Sequence, residues 1–314
     1  MKRENKSSVS EFLLLGLPIW SEQQGTFFTL FLGMYLTTVL GNLLIILLIR
    51  LDPCLHTPKD FFLGHLAFSD VSFSSVSVPN TLRNMQTQHL SIPYVGCISQ
   101  MYFFILFVCL DNFLLAVMAY DRYVAICQPL HYITVMREEL CIFILLVAGS
   151  WLLSCADALL HTLLSHLSFC TDNTIPHFFC DLTTLLKLTC SDTSLNELVI
   201  FTEWGVVAFL PCCAILGSYI RIGATMLSVP SIKRICKALS TCGSYLLMVF
   251  LYCGTLEMIY FIPSSNNSKV KDIIVSVRYT VVTPMLNPFI YTLRNRDMKL
   301  ALGILYSRKI IFAK

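Results

Sequence analysis

The sequence predicts an all-α membrane protein: a seven-transmembrane helix bundle with its amino terminus outside and its carboxy terminus cytosolic. Three observations carry this. Hydrophobic residues make up 56% of the 314 positions and charged ones 13%, where a soluble domain carries about 25% charged residues. Seven stretches reach the roughly 20 mostly apolar residues that a bilayer crossing needs. Lys and Arg gather on one set of connections. So little charge cannot cover the surface of a soluble fold, which excludes a soluble enzyme and a disordered scaffold. The formal net charge of +3 is too small and too scattered for a nucleic-acid partner.

The hydropathy places the spans at 26–49, 61–82, 98–120, 140–164, 198–220, 238–262 and 273–293. The first, fourth and sixth are the clearest. The second and seventh carry more Ser, Thr and ionisable residues, so their ends are the least defined. Nothing alternates as a barrel strand does, which leaves a helical bundle. With the amino terminus outside, the cytosolic side holds fourteen basic residues. These are Arg50, Lys59, Arg122, Arg137, Arg221, Lys233, Arg234, Lys237, Arg294, Arg296, Lys299, Arg308, Lys309 and Lys314. The outer side holds seven (Lys2, Arg3, Lys6, Arg83, Lys187, Lys269 and Lys271), and Arg278 lies inside a span.

The run Phe12–Leu17 is too short for a signal peptide's apolar region, so the first span is expected to serve as an uncleaved insertion signal. No linker, low-complexity tract or repeat appears. The chain reads as an outer tail (1–25), one helical domain (26–293) and a cytosolic tail (294–314). Asn5-Lys6-Ser7 and Asn266-Asn267-Ser268 are glycosylation triplets on the outer side, and Asn5 is favoured because Asn266 sits close to the sixth span.

Of the fourteen cysteines, Cys109, Cys141, Cys155, Cys212, Cys213, Cys242 and Cys253 read as small apolar packing residues in or beside spans. Cys97, Cys170, Cys180 and Cys190 fall on the oxidising side, where two disulfides form with three pairings open. His177, three residues before Cys180, raises a zinc reading, but no repeated ligand pair accompanies it.

Ionisable residues inside a bilayer are costly and mark function. Asp70 and Asp111 fall at matching mid-membrane depth, and Asn42 and Asn287 bring amide oxygens to that level. Asp157 and His161 are four apart on the fourth span, hence on one helix face. Glu203 on the fifth span, or Glu257 near the outer end of the sixth, is expected to pair with Arg278 on the seventh.

The end of the third span reads Met118-Ala119-Tyr120-Asp121-Arg122-Tyr123-Val124-Ala125-Ile126-Cys127, followed by Pro129-Leu130-His131-Tyr132. Gly41-Asn42, Leu55-His56-Thr57-Pro58, Ser218-Tyr219, Lys237-Ala238 with Ser240-Thr241-Cys242, and Pro284-Met285-Leu286-Asn287-Pro288-Phe289-Ile290-Tyr291 follow on the matching spans. Together these resemble the signature of the olfactory receptors, a branch of the rhodopsin-like (class A) G protein-coupled receptors, over almost the whole chain.

The resemblance implies that Asp121 holds Arg122 at rest, with Tyr123 beside them. On activation Arg122 swings toward Tyr219 and Tyr291. Taken alone, Asp121-Arg122 would be an interfacial ion pair with a snorkelling arginine. Asn287-Pro288, which breaks the hydrogen-bond ladder, becomes the hinge of the seventh span. The same resemblance implies that Asn42, Asp70, Asp111 and Asn287 surround a structural sodium ion, where chemistry alone allows a core sharing one proton. No other metal or cofactor is expected.

By resemblance, the odorant site lies in the outer half of the bundle. It takes Phe104, Ile105, Val108 and Cys109 from the third span and Glu203 and Val207 from the fifth. Tyr252, Thr255 and Ile259 come from the sixth, Val277 and Thr280 from the seventh, and Asp157 and His161 add polar groups. This cavity suits small, mostly apolar volatile molecules. Phe104 stands where amine receptors of the superfamily carry an aspartate. The loop between Cys170 and Cys190 lids the cavity, with Cys97 paired to Cys180 and Cys170 to Cys190. The implied partners are an odorant, a stimulatory heterotrimeric G protein that raises cyclic AMP, and membrane lipids. The implied location is the plasma membrane, in the cilia of olfactory sensory neurons.

Four residues at three sites depart from the family pattern: Lys59-Asp60 replaces Met-Tyr, Tyr245 replaces His, and Arg278 replaces an aromatic. The alternatives are a receptor for a non-odorant small ligand outside the nose, or a polytopic transporter. A transporter would show inverted repeats, and none are found. No protease, phosphate-loop or hydrolase motif supports an enzyme.

Overall fold

The computed structural model describes residues 10–17, 21–87, 90–165, 173–227 and 268–312. The predicted sixth span, with Tyr245, Tyr252, Thr255, Glu257 and Ile259, lies outside the described residues, as do Asn5, Cys170 and Asn266.

In chain order, β1 (Glu11–Leu14) leads to α1 (Gln24–Leu51), α2 (Pro58–Thr87), β2 (Ser91–Pro93), α3 (Tyr94–Cys127) and α4 (Pro129–Leu164). After β3 (Thr174–Ile175) and the short α5 (Leu182–Lys187), the fifth predicted span is one helical run in three pieces. These are α6 (Ser194–Trp204), a π-helical turn at Gly205–Phe209 and α7 (Leu210–Leu227). The seventh is built alike: α8 (Ser268–Val277), a π turn at Arg278–Val282 and α9 (Thr283–Arg294). A last helix, α10, covers Arg296–Phe312.

Five helices among the described residues are long and apolar enough to cross a membrane. α3 is the central one, with 61% of its most apolar window buried inside the protein against 22% for α1. Its Leu106, Leu110 and Leu114 follow a four-residue spacing and pack with Phe62, Phe73, Phe143, Ile215 and Tyr279 from the surrounding helices. α1 turns Leu36, Leu40, Leu43 and Leu47 outward, as a lipid-facing helix does.

The helices extend beyond the apolar stretches read from the sequence, because backbone hydrogen bonding continues past the last apolar residue. The third begins at Tyr94 instead of 98 and ends at Cys127 instead of 120. The fourth begins at Pro129 instead of 140. Pro129 sits at the first helical position, where its missing N–H costs nothing. The region read as a cytosolic tail is mostly the helix α10. Its Met298 and Ala301 are buried against Ile45, Leu48, Leu55 and Leu63, with Leu305 packed alongside. Those three residues stand at i, i+3 and i+7, a helical face that was available in the sequence.

The end of the bundle where α3 begins carries a three-stranded sheet in the order β2-β1-β3. β1 runs antiparallel to β2 and parallel to β3. Its residues alternate exposed and buried, and Phe12 and Leu14 are fully buried with Ile92, Met101 and Ile175. The apolar run Phe12–Leu17 thus begins as a strand. Beside it the Cys97–Cys180 disulfide ties the start of α3 to the loop after α4. Cys190 is also disulfide-bonded.

Candidate functional site

Two groups of polar residues lie inside the bundle, one at its middle and one nearer the sheet. The middle group starts from Pro288. A proline inside a helix donates no hydrogen bond to the carbonyl four residues back, here that of Pro284. Asn42 Nδ2 donates to that carbonyl at 3.3 Å and to its own Thr38 carbonyl at 3.0 Å. α1 approaches closely enough because residue 41 is glycine: a Cβ there would stand 2.9 Å from the Pro288 ring. Asn42 therefore braces the proline break.

Asn287 Nδ2 donates to both carboxylate oxygens of Asp70, at 2.9 and 2.8 Å. Asp70, Asp111 and Asn287 line one small cavity with Leu66, Phe73, Leu115, Tyr279, Thr283 and Pro284. It holds about 10 Å³ of space for the centre of a water-sized sphere, enough for about one such sphere. Asp111 Oδ1, Asn287 Oδ1 and the nearby Ser69 Oγ are buried without a hydrogen-bond partner. The oxygens of Asp111 and Asn287 and the Ser69 hydroxyl, beside the Asp70 carboxylate, fit a small hard cation.

At the far end of α3, Asp121 is buried and Arg122 half-buried. Tyr219 and Tyr291 share one apolar cluster with Tyr123. Arg122 and Tyr219 both lie near enough to the buried Tyr291 hydroxyl to act on it electrostatically. The Lys59-Asp60 departure has a structural role at this end. Asp60 is buried, accepts from Thr57 Oγ1 at 2.6 Å and Asn295 Nδ2 at 3.3 Å, and has Lys59 Nζ at 3.7 Å. Its backbone N–H donates to Thr57 Oγ1 at 3.3 Å, so Thr57 caps α2 with Pro58 at the first position.

The group nearer the sheet joins three helices. Cys109 Sγ on α3 donates to Asp157 Oδ2 on α4 at 2.7 Å. Asp157 also hydrogen-bonds Glu203 on α6, and His161 pairs with Glu203 through Nε2. Of the two partners expected for Arg278, Glu203 pairs with His161 instead, and Glu257 lies outside the described residues. Glu203 is the last residue but one of α6 and meets Asp157 and His161 of α4, while Arg278 opens the π turn of the last span.

Above this cluster Phe104 packs on Phe179 of the loop after α4 (centroids 4.9 Å apart), on Phe73 (5.4 Å) and on Tyr279 (6.2 Å). Ile105 and Val108 pack beside it, half-buried. Phe178 and Phe179 are buried, so this loop roofs the aromatic cluster. His177 faces Ser276 Oγ at 3.2 Å and accepts from the Phe179 N–H at 3.4 Å. Its neighbour Cys180 is already bonded to Cys97, which removes the thiolate that a zinc reading needed.

Two pocket residues read from the sequence stand elsewhere. Val277 packs with Phe31, Val78 and Leu82 of α1 and α2. Thr280 is buried and bonds Ser276 and Ser74. The cause is the π turn at Arg278–Val282. A π turn adds one residue, so counting outward from Pro288 at 3.6 residues per turn goes wrong by one position. Tyr279, next to Thr280, packs on Phe73 and Phe104, and Ser276, next to Val277, meets His177. On the fifth span Val207 falls inside the other π turn and is half-buried.

The fold is thus that of a multi-pass helical membrane protein with a roofed aromatic cluster and two polar clusters inside its bundle. A sequence profile of the olfactory receptor family matches residues 31–309. Over the full length of both chains, the sequence is 67% identical to olfactory receptor 1J4 and 66% identical to olfactory receptor 1J2, both of Homo sapiens. It is 63% identical to olfactory receptor 1J21 of Mus musculus over 99% of each chain. The chain belongs to the olfactory receptor family, G protein-coupled receptors without enzymatic activity.

Proposed function

We propose that this chain is a seven-helix odorant receptor, amino terminus outside and carboxy terminus cytosolic, with a helical domain at 26–293 between two tails. It binds small, mostly apolar volatile molecules in the outer half of its bundle. Binding activates a stimulatory heterotrimeric G protein and raises cyclic AMP. The observation that carries this reading is the aromatic cluster of Phe104, Phe179 and Tyr279 above a buried polar group. An apolar wall with a few polar groups is the lining that small-molecule sites use. Membership in a family whose relatives are named olfactory receptors supports the ligand class.

Ligand entry shifts an equilibrium between resting and active packings. In the resting packing Asp121 restrains Arg122. In the active one Arg122 turns toward Tyr219 and Tyr291, with Tyr245 on the sixth span at the same switch. The middle cluster acts as the lock: Asp70, Asp111, Ser69 and Asn287 hold a sodium ion in the resting form, with the unpartnered oxygens of Asp111, Ser69 and Asn287 and the Asp70 carboxylate as its ligands. Cys170 closes a second disulfide with Cys190, and Asn5 carries a glycan. The receptor resides in the plasma membrane of sensory cilia.

The test is a cyclic-AMP assay on cells displaying the receptor, screened with a chemically diverse odorant panel beside Arg122→Ala. An odorant-dependent rise, lost in the variant at equal surface level, is expected. A response retained in Arg122→Ala overturns the coupling mechanism.

A further inference from the structure

We propose that Cys109, Asp157, His161 and Glu203 form a binding site for one zinc ion, bridging three helices of the bundle. The ligand atoms of Asp157, His161 and Glu203 all lie within 4.8 Å of one another. The thiol of Cys109 adds a fourth, 2.7 Å from Asp157 Oδ2. Zinc takes Cys sulfur, His nitrogen and carboxylate oxygen at about 2.0–2.3 Å in a tetrahedron, which sets ligand atoms about 3.3–3.8 Å apart. Closing from 4.8 Å requires side-chain tips to move by about an ångström, with no helix displaced.

The donor set selects the ion. Calcium and magnesium demand oxygen ligands, whereas one nitrogen, one sulfur and two carboxylates suit zinc. Two carboxylates offset the charge of a divalent cation, and Cys109 ligates as a thiolate whose proton is released to solvent, so the loaded site carries one net negative charge. His161 and Cys109 are buried and Asp157 and Glu203 half-buried, which gives the ion both a shielded seat and a way in. The scaffold is built for convergence. Asp157 and His161 share one face of α4 at i, i+4, and Glu203 stands just before a π turn, a feature that recurs at functional sites.

The proposal does not depend on the odorant reading, because it is tested on purified full-length receptor in lipid nanodiscs with neither odorant nor G protein. Zinc affinity is measured by competition with a fluorescent zinc chelator. One zinc per receptor is expected, with affinity at least about tenfold weaker in His161→Ala and in Glu203→Gln, and unchanged in His177→Ala. In the unmutated receptor, cobalt(II) in place of zinc should give a thiolate-to-metal charge-transfer band. That band should vanish in Cys109→Ser and persist in Cys155→Ser. Unmutated receptor that binds zinc no tighter than His161→Ala overturns the proposal, whether or not the variant folds well. So does a charge-transfer band that survives Cys109→Ser.

Discussion

Asn42 donates to the Pro284 carbonyl, the one backbone acceptor that Pro288 strands inside the last span. The glycine before Asn42 lets the two helices meet at that point. A pair of residues on α1 thereby stabilises a break on α9, nearly the full length of the chain away.

Replacing Asn42 by Ala should leave that carbonyl buried without a donor, at a cost of about 1–3 kcal/mol. Thermal unfolding of purified receptor measures it. Gly41→Ala, which drives a methyl into the Pro288 ring, should be at least as damaging. A melting temperature unchanged in both variants would mean that the contact carries no stability.

Tyr279→Ala should raise the odorant concentration for half-maximal response by about tenfold, the loss of about 1.4 kcal/mol of contact. Val277→Ala should leave it unchanged, since Val277 packs toward α1 and α2. Dose–response curves at matched surface display decide between the register with the π turn and the one without. The opposite ranking would restore the uncorrected count.

Sodium removal supplies a third test. Replacing external and internal sodium by a large organic cation should raise basal cyclic AMP in the unmutated receptor and have no effect in Asp70→Asn. Equal sodium dependence in both would remove the ion from the Asp70–Asp111 cavity.

Asp60→Ala should destabilise the junction of α2 and α10 by about 1–3 kcal/mol, the cost of leaving buried hydrogen-bond partners unsatisfied. It removes the acceptor shared by Thr57 and Asn295. Asp60→Asn keeps part of the hydrogen bonding and should fall between, again read by thermal unfolding.

Much of the architecture was legible because its cause is local. A crossing helix announces itself through some twenty apolar residues, and Asn287-Pro288 or Asp121-Arg122 through adjacent side chains. Three features were not. The π turns at Gly205–Phe209 and Arg278–Val282 leave no mark on the apolar pattern, yet each adds a residue and shifts the helix faces beyond it by one position. The link between Glu203 and His161 joins two helices whose relative rotation no one-dimensional spacing encodes. Metal ligands are recognised in sequence by short repeated intervals, and Cys109, Asp157, His161 and Glu203 come from three separate spans. The helix α10 was different: Met298, Ala301 and Leu305 carry its signal, as one buried face of a helix rather than as a membrane-length apolar run.

The placement of β1 between β2 and β3 also sets a schedule for synthesis. Its backbone bonds reach Asn173 and Ile175, which leave the ribosome some 160 residues after β1. At about 5–20 residues per second, β1 waits about 8–32 s for β3. Phe12 and Leu14 meet Ile92 and Met101 first, and Ile175 completes their cover only after α4 has been made. The start of this chain is thus among the last parts to reach its final position, and anything fused to it rides on a strand that closes late.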